Sequence, residues 1–142
     1  MTSVTDSERV EQANTALYEA MERGDHAAME RLWLHGDVSC VHPGWPVLRG
    51  RGEVLRSYAL IMANTEYIQF FLTDVEVSVS ADTALVTCTE NILSGAPAEE
   101  EGELGPLVGQ LVVATNVFQR TPEGWKLWSH HGSPVLTENE EE

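Results

Sequence analysis

The last part of the chain constrains the fold most strongly. Residues 107–120 and 125–132 alternate apolar with polar positions and are rich in β-branched and aromatic residues, a pattern typical of strands. Between them lies Thr121-Pro122-Glu123-Gly124, in which proline and glycine occupy positions that turn geometry favours. The sequence therefore predicts that Leu107 to Pro134 forms the closing antiparallel strands of the domain.

Helical periodicity is confined to the first half of the chain. The first predicted helix has Thr5 as its N-cap, Glu8 completing a capping box, and Gly24 at its end. A short second helix is capped by Asp25, and a third ends near Asn64. Apolar residues recur at helical spacing in all three: Val10, Ala13, Leu17 and Met21; Ala28, Met29, Leu32 and Trp33; and Val54, Leu55, Tyr58, Ile61 and Met62.

Further strand patterns surround the third helix. Residues 38–42, 66–80 and 83–94 read as strands, and Ala81-Asp82 forms a short hairpin connection between the last two. Residues 95–106 carry Gly, Pro and Glu without an apolar period and predict a loop. Helices followed by long antiparallel strands indicate an α+β fold, with the helices gathered on one face of a curved sheet.

The segment 66–80 has apolar residues in both phases of its alternation. One phase carries Ile68, Phe70 and Leu72, and the other carries Val75, Val77 and Val79. This pattern predicts a sheet that is apolar on both faces. The helices would cover one face and the sheet of a second subunit the other, so we expect a homodimer that pairs through the outer sheet face.

Length and charge limit the possible functions. The 142 residues fit one domain, predicted over residues 1–136, and residues 137–142 form an acidic tail that we expect to be mobile. Eight Lys and Arg against 23 Asp and Glu give a net charge of -15, which disfavours nucleic acid and anionic membranes as partners. The first ten residues lack a basic region followed by an apolar run, so cytoplasmic residence is expected.

Neither cysteine suggests a disulfide or a metal site. Cys40 and Cys88 lie inside apolar strand patterns, and neither belongs to a CxxC pair, so both are predicted to be buried thiols. The five histidines form no HxH or HxxxH arrangement. The sequence therefore predicts no metal and no cofactor.

Four stretches of the chain resemble a known family: GDHAAMERLW, VHPGWPVLRGRGEVLRSY, DTALVTCTENI and ATNVFQRTPEGWKLWSHHGSP. They are similar to the SnoaL-like, ketosteroid isomerase-like branch of the nuclear transport factor 2-like superfamily, and the last also resembles the association domain of calcium/calmodulin-dependent protein kinase II. The resemblance implies a cone, in which a strongly curved antiparallel sheet wraps around N-terminal helices and leaves a pocket open at one end. It implies less about chemistry, because that fold serves isomerases, dehydratases, cyclases, hydrolases and structural oligomers.

Glu90 is the strongest catalytic candidate. Its side chain shares a strand face with Val86, Cys88 and Ile92, so its carboxyl group is directed toward an apolar interior. Burial raises the pKa of a carboxyl group, which would let Glu90 act as a general base near neutral pH. The alternative is a structural hydrogen bond or an ion pair with Arg56 or Arg51.

Three residues outside the long strands are further candidates. His42 ends a strand and, if paired with Glu90, would give a carboxylate-oriented imidazole that can shuttle protons. Trp45, in a Pro-Gly-Trp-Pro loop, is a candidate pocket wall or lid. Tyr58 would offer its hydroxyl to a ligand as a hydrogen-bond donor.

Two candidates lie in the closing strands. Asn116 alternates with apolar residues and would donate to a ligand oxygen, or else satisfy backbone groups. The resembling kinase domain has arginines at the positions of Glu90 and Asn116, so a neutral or cationic ligand is expected here. His130 and His131 must point to opposite faces because they are adjacent on a strand. The family resemblance favours His131 as the one that faces inward or braces the subunit interface.

These residues support two hypotheses. In the first, Glu90 and His42 move a proton in the isomerisation, dehydration or cyclisation of a small neutral compound that bears a carbonyl or hydroxyl group. Asn116 and Tyr58 would polarise the oxygen that gains charge. In the second, the domain binds a ligand or forms a dimer without catalysis.

Overall fold

The computed structural model describes residues 4–97 and 104–136. Three helices and six strands follow one another in the order α1 (Asp6–Arg23), α2 (His26–Leu32), β1 (Ser39–Val41), β2 (Leu48–Arg49), α3 (Arg51–Ala63), β3 (Tyr67–Ser80), β4 (Thr83–Pro97), β5 (Leu104–Thr121) and β6 (Gly124–Pro134). The loop predicted over residues 95–106 is wrong at both ends, because β4 and β5 extend into it. The remainder of that loop and the predicted acidic tail lie outside the described residues.

The helix ends agree with the capping signals in the sequence. Thr5 accepts a hydrogen bond from the backbone N–H of Glu8 at 3.1 Å, and the Glu8 carboxylate accepts from the backbone N–H of Thr5 at 3.2 Å. Gly24 ends α1 with φ of 63°, a left-handed conformation that glycine adopts without strain. Asp25 caps α2 by accepting from the backbone N–H of Ala28. The predicted caps of both helices are confirmed.

One six-stranded sheet, in the order β2-β1-β6-β5-β4-β3, organises the fold. All neighbours are antiparallel except β1 and β6, which run parallel. The helices pack against one face, where the core includes Leu17, Met29, Trp33, Phe118 and Leu127. The predicted α+β fold, with N-terminal helices enclosed by a curved and mostly antiparallel sheet, is confirmed.

A bulge in β3 corrects the prediction of two apolar faces. The β3–β4 register shifts between Thr73 and Glu76, so Asp74 and Val75 together oppose Cys88. Asp74 adopts a left-handed φ of 52° at this point. The extra residue reverses the alternation, and both predicted sets, represented by Phe70, Leu72, Val75, Val77 and Val79, pack against the same core.

A second register shift lies in β6. Val117 pairs with Ser129 and Phe118 pairs with Leu127, so Trp128 is the extra residue on its strand. Leu127 and His130 are consequently both buried, although simple alternation would place them on opposite faces. This bulge decides which of the two adjacent histidines faces the helices.

The outer face of the sheet carries exposed apolar side chains. Phe71 is 53% exposed and Val113 is 46% exposed, and the same surface includes Leu85 and Leu111. The helices cannot cover these residues because they pack on the opposite face. No helix in the described part of the chain is long and apolar enough to cross a membrane.

Candidate functional site

A cavity of about 220 Å³ lies between the sheet, α1, α3 and the loop that follows β1. It is lined by Leu17, Tyr18, Met21, His42, Pro43, Trp45, Tyr58, Ile61, Ile68, Phe70, Glu90, Ile92, Ser94, Gln110 and His130. Most of these side chains are apolar or aromatic, and a few polar groups converge among them. This composition is typical of sites that bind small organic molecules.

Glu90 is 3% exposed and lines the cavity from β4. Its Oε2 accepts a hydrogen bond of 2.6 Å from the hydroxyl of Tyr18 on α1. Burial raises the pKa of Glu90 to about 7, and the Tyr18 hydrogen bond partly opposes that rise. No salt bridge within the described residues involves Glu90, so the alternative of an ion pair with Arg56 or Arg51 is wrong.

Asn116 lies behind the cavity wall. It is 0% exposed, and its Nδ2 donates to Oδ1 of Asn14 at 2.8 Å and to the Tyr18 hydroxyl at 3.1 Å. Its Oδ1 accepts from Nδ1 of His130 at 2.5 Å. Asn116 does not line the cavity, so the predicted direct contact with a ligand is wrong. Its amide instead links Tyr18 to His130.

His130, rather than His131, faces the cavity. The bulge at Trp128 turns His130 inward, directly opposite Asn116 in the β5–β6 register, and leaves His131 exposed. The predicted inward orientation of His131 is therefore wrong, and its alternative role at an interface stays a prediction. Burial, reinforced by the nearby His42 and His131, lowers the pKa of His130 to about 3, so its imidazole is neutral near pH 7.

His42 occupies another side of the cavity, immediately after β1. Its Nε2 lies 2.8 Å from Oγ of Ser57, whose own hydrogen is donated to the Val54 carbonyl at 2.6 Å. Because that hydroxyl has one hydrogen, His42 must donate from Nε2, and Nδ1 carries the lone pair. Burial lowers the pKa of His42 to about 4. The predicted direct pairing with Glu90 is wrong, since Ser57 orients this imidazole.

Tyr58 and Trp45 pack on either side of His42. Their rings meet the imidazole edge to face, with centroids 4.9 Å away for Tyr58 and 5.0 Å for Trp45. Both side chains line the cavity. The Tyr58 hydroxyl lies 3.8 Å from Sγ of Cys40, and burial raises its pKa well above the usual value. Tyr58 is therefore a neutral hydrogen-bond donor at the cavity wall.

The structure thus brings four of the six predicted site residues to one cavity: Glu90, His42, Tyr58 and Trp45. Sequence reasoning missed Asn14, Tyr18, Ser57 and His130. Asn14 and Tyr18 could have been found, because they lie four residues apart on the apolar face of the first helix, where a polar side chain needs a buried partner. His130 could not, because its orientation depends on the bulge.

The described residues offer no obvious metal centre. In residues 4–97 and 104–136, no group of three or more His, Cys, Asp or Glu side chains is arranged to hold a metal ion. Cys40 and Cys88 are both free and buried, as predicted. Burial raises the pKa of Cys40 to about 12, which keeps this thiol protonated and unreactive near pH 7.

Residues 10–137 match the family model of the SnoaL-like domain. The curated F-box protein SKIP8 of Arabidopsis thaliana is 26% identical to this chain over 130 residues, which are 90% of this chain. The match covers 50% of SKIP8, so the chain spans about half the length of this relative.

Two solved structures are similar over nearly the whole chain. A proposed dehydratase of the NTF2-like family from Streptomyces avermitilis is 73% identical, with a TM-score of 0.90, covering 93% of this chain and 97% of that one. A proposed calcium/calmodulin-dependent protein kinase type II association domain from Thiobacillus denitrificans is 26% identical, with a TM-score of 0.71, covering 89% of this chain and 94% of that one. Both resemblances noted in the sequence are therefore confirmed.

Proposed function

Because the chain belongs to the SnoaL-like domain family, we propose that its cavity is an active site for acid–base chemistry on a small neutral compound, and that the reaction is a dehydration. The substrate carries a carbonyl group and a hydroxyl group on the β-carbon. Glu90 transfers the proton. The dehydratase name of the Streptomyces avermitilis protein, at 73% identity, favours elimination of water over isomerisation or cyclisation.

One observation carries this proposal: the buried carboxyl group of Glu90, whose pKa is about 7, lines a largely apolar cavity. Such a group is protonated and ionised in comparable amounts at neutral pH, so it can accept a proton in one step and return it in the next. Tyr18 occupies Oε2, which leaves Oε1 for the substrate. The pKa values of His42 and His130 are too low for either imidazole to act as the proton donor near pH 7.

The proposed reaction has two steps. Ionised Glu90 takes the proton from the α-carbon, and the electrons of the broken C–H bond move to the carbonyl oxygen. Protonated Glu90 then donates to the β-hydroxyl group, which leaves as water while the enolate electrons form the C=C bond. Glu90 ends ionised, so the cycle balances without a cofactor.

The enolate oxygen needs a hydrogen-bond donor that stays neutral. Tyr58 suits this role, because its side chain lines the cavity and its raised pKa prevents ionisation. Among the described residues, neither Arg nor Lys lines the cavity, which disfavours an anionic substrate. Trp45 and His42 would enclose the substrate with their rings.

The test uses 4-hydroxy-4-phenylbutan-2-one, a β-hydroxy ketone, in D₂O. NMR follows deuterium entry at its α-carbon and formation of the unsaturated ketone, and tryptophan fluorescence measures binding. Glu90→Gln is the matched variant, because the amide keeps the size of the side chain and an acceptor for Tyr18. We expect both rates to fall about 10²–10⁴-fold in Glu90→Gln, with binding retained.

Two results would overturn the proposal. Equal exchange rates in the wild type and Glu90→Gln would remove Glu90 as the base. A ketone that binds without exchange or elimination would favour the second hypothesis, a ligand-binding module without catalysis. Failure of the ketone to bind at all would exclude this substrate class.

We also propose that two copies of the chain pair through the outer sheet face. The exposed apolar side chains of Phe71, Leu85, Leu111 and Val113 support this, since contiguous apolar surfaces are uncommon on monomers. One chain has a mass of 15.7 kDa, and sedimentation should give twice that mass. Val113→Lys should give a monomer with unchanged helix content, and a wild-type monomer would refute the dimer.

A further inference from the structure

The hydrogen bonds around His130 fix the positions of its protons. Both hydrogens on Nδ2 of Asn116 have acceptors, Asn14 and Tyr18, so the Asn116 oxygen faces His130 and must accept from it. Nδ1 of His130 therefore carries the hydrogen. In a neutral imidazole the second nitrogen, Nε2, then carries a lone pair and can only accept.

The lone pair of Nε2 is accessible from the cavity. In the described part of the chain, Nε2 of His130 has no hydrogen-bond partner. Two other side-chain nitrogens there, Trp33 Nε1 and Arg51 Nε, are both unpartnered and completely buried. Nε2 of His130 is not completely buried. His130 is 6% exposed and lines the cavity, so its remaining exposure is directed there. An acceptor in this position, surrounded by apolar walls, selects for a ligand that brings a hydrogen-bond donor.

We propose that His130 is a specificity-determining residue whose Nε2 accepts the hydrogen of a substrate hydroxyl group, and that Asn116 is the positioning residue that keeps this nitrogen unprotonated. For the reaction, this inference rests on the proposed dehydration. A hydroxyl whose hydrogen is held by His130 turns its oxygen lone pairs elsewhere, where they can accept a proton from Glu90. The ligand class is thus a neutral alcohol.

The test compares an alcohol with its methyl ether. Benzyl alcohol and benzyl methyl ether share an aromatic ring and an oxygen, but the ether has no hydrogen to donate. Calorimetric titration of wild-type protein should favour the alcohol by about tenfold, the worth of one good hydrogen bond in a dry site. In His130→Phe the preference should disappear, with the affinity for the ether changed by less than about threefold.

Glu90→Gln separates this inference from the proposed function. If His130 is the acceptor, Glu90→Gln retains the tenfold preference for the alcohol even though it loses proton transfer. If the preference disappears in Glu90→Gln and survives in His130→Phe, Glu90 is the acceptor and the inference is wrong. Turnover can fail while the preference persists, which would overturn the dehydration alone.

Imidazole ¹⁵N NMR of the wild-type protein gives an independent readout that does not depend on a variant folding. At pH 7, His130 should show a protonated Nδ1 and an unprotonated Nε2. Benzyl alcohol should shift the Nε2 resonance toward its protonated value, and the ether should not. A protonated Nε2 in the free protein, or no difference between the two compounds, would overturn the inference.

Discussion

Two clusters of polar side chains meet at the cavity, and they are built differently. The Glu90 cluster consists of Asn14, Tyr18, Glu90, Asn116 and His130; the His42 cluster consists of Cys40, His42, Trp45, Ser57 and Tyr58. Hydrogen bonds of 2.5 to 3.1 Å join the first across more than a hundred residues of sequence. The second comes from 19 consecutive residues and is held by ring packing, one hydrogen bond of 2.8 Å to His42, and long sulfur contacts.

The difference separates two tasks. In the Glu90 cluster, one helix and three strands contribute the five side chains, so the network fixes the positions of the protons. In the His42 cluster, the aromatic rings mainly fix the shape of the cavity. Substitutions in the first cluster should therefore alter stability and protonation, and those in the second should alter ligand fit.

The largest expected effect comes from removing the centre of the Glu90 cluster. Asn116→Leu breaks three hydrogen bonds and leaves polar atoms of Asn14 and His130 buried without partners, which should lower the free energy of unfolding by about 3–5 kcal/mol. Urea denaturation at pH 7 measures it. Ser57→Ala is the matched change in the His42 cluster, and we expect it to lower the free energy of unfolding by about 1 kcal/mol. Equal losses would remove the distinction between the clusters.

The next effect is a pH dependence that comes from Glu90. Its pKa is raised by burial from 4.5 to about 7, so the folded protein binds this proton more tightly than the unfolded chain does. Stability from this group is present below pH 4.5 and is lost as the pH rises to about 7, by about 3 kcal/mol in total. The histidines act in the opposite direction, since their lowered pKa values cost stability as the pH falls below 6.5.

Glu90→Gln isolates the contribution of the carboxyl group, because both proteins contain the same histidines. The variant should gain stability relative to the wild type between pH 5 and pH 8, by about 2–3 kcal/mol. Urea denaturation across this range measures the difference. A constant difference between the two proteins would mean that Glu90 has an ordinary pKa.

The smallest expected effect lies in the His42 cluster. Trp45→Ala removes one partly exposed wall of the cavity, and we expect KM for the β-hydroxy ketone to rise about tenfold, or about 1.4 kcal/mol, with kcat within threefold. Steady-state kinetics at pH 7 separates the two constants. A fall in kcat comparable to that of Glu90→Gln would show that Trp45 affects proton transfer.

The same comparison explains what the sequence could predict. Alternation along β4 places Glu90 inside without ambiguity, since the extra residue of the nearby register shift lies on β3 and not on β4. The strand end before Pro43 likewise indicates His42. Alternation fails wherever an extra residue enters a strand. The bulges at Asp74 and Trp128 are visible in the cross-strand register and not in the local pattern. The first brings both predicted apolar sets of β3 to one face, and the second gives His130 the inward orientation that the family resemblance implied for His131. Hydrogen bonds such as that between Asn14 and Asn116 depend on packing between distant segments and were equally hidden.

Direct titration of the Glu90 carboxyl group tests the central claim, that this buried carboxyl exchanges its proton near neutral pH. Carboxyl ¹³C NMR of protein labelled at glutamate, recorded from pH 4 to pH 9, would follow each side chain, and Glu90→Gln identifies the resonance. We predict a midpoint at about pH 7. A midpoint at or below the usual 4.5 would contradict both the role of Glu90 as the proton carrier and the dehydration that depends on it.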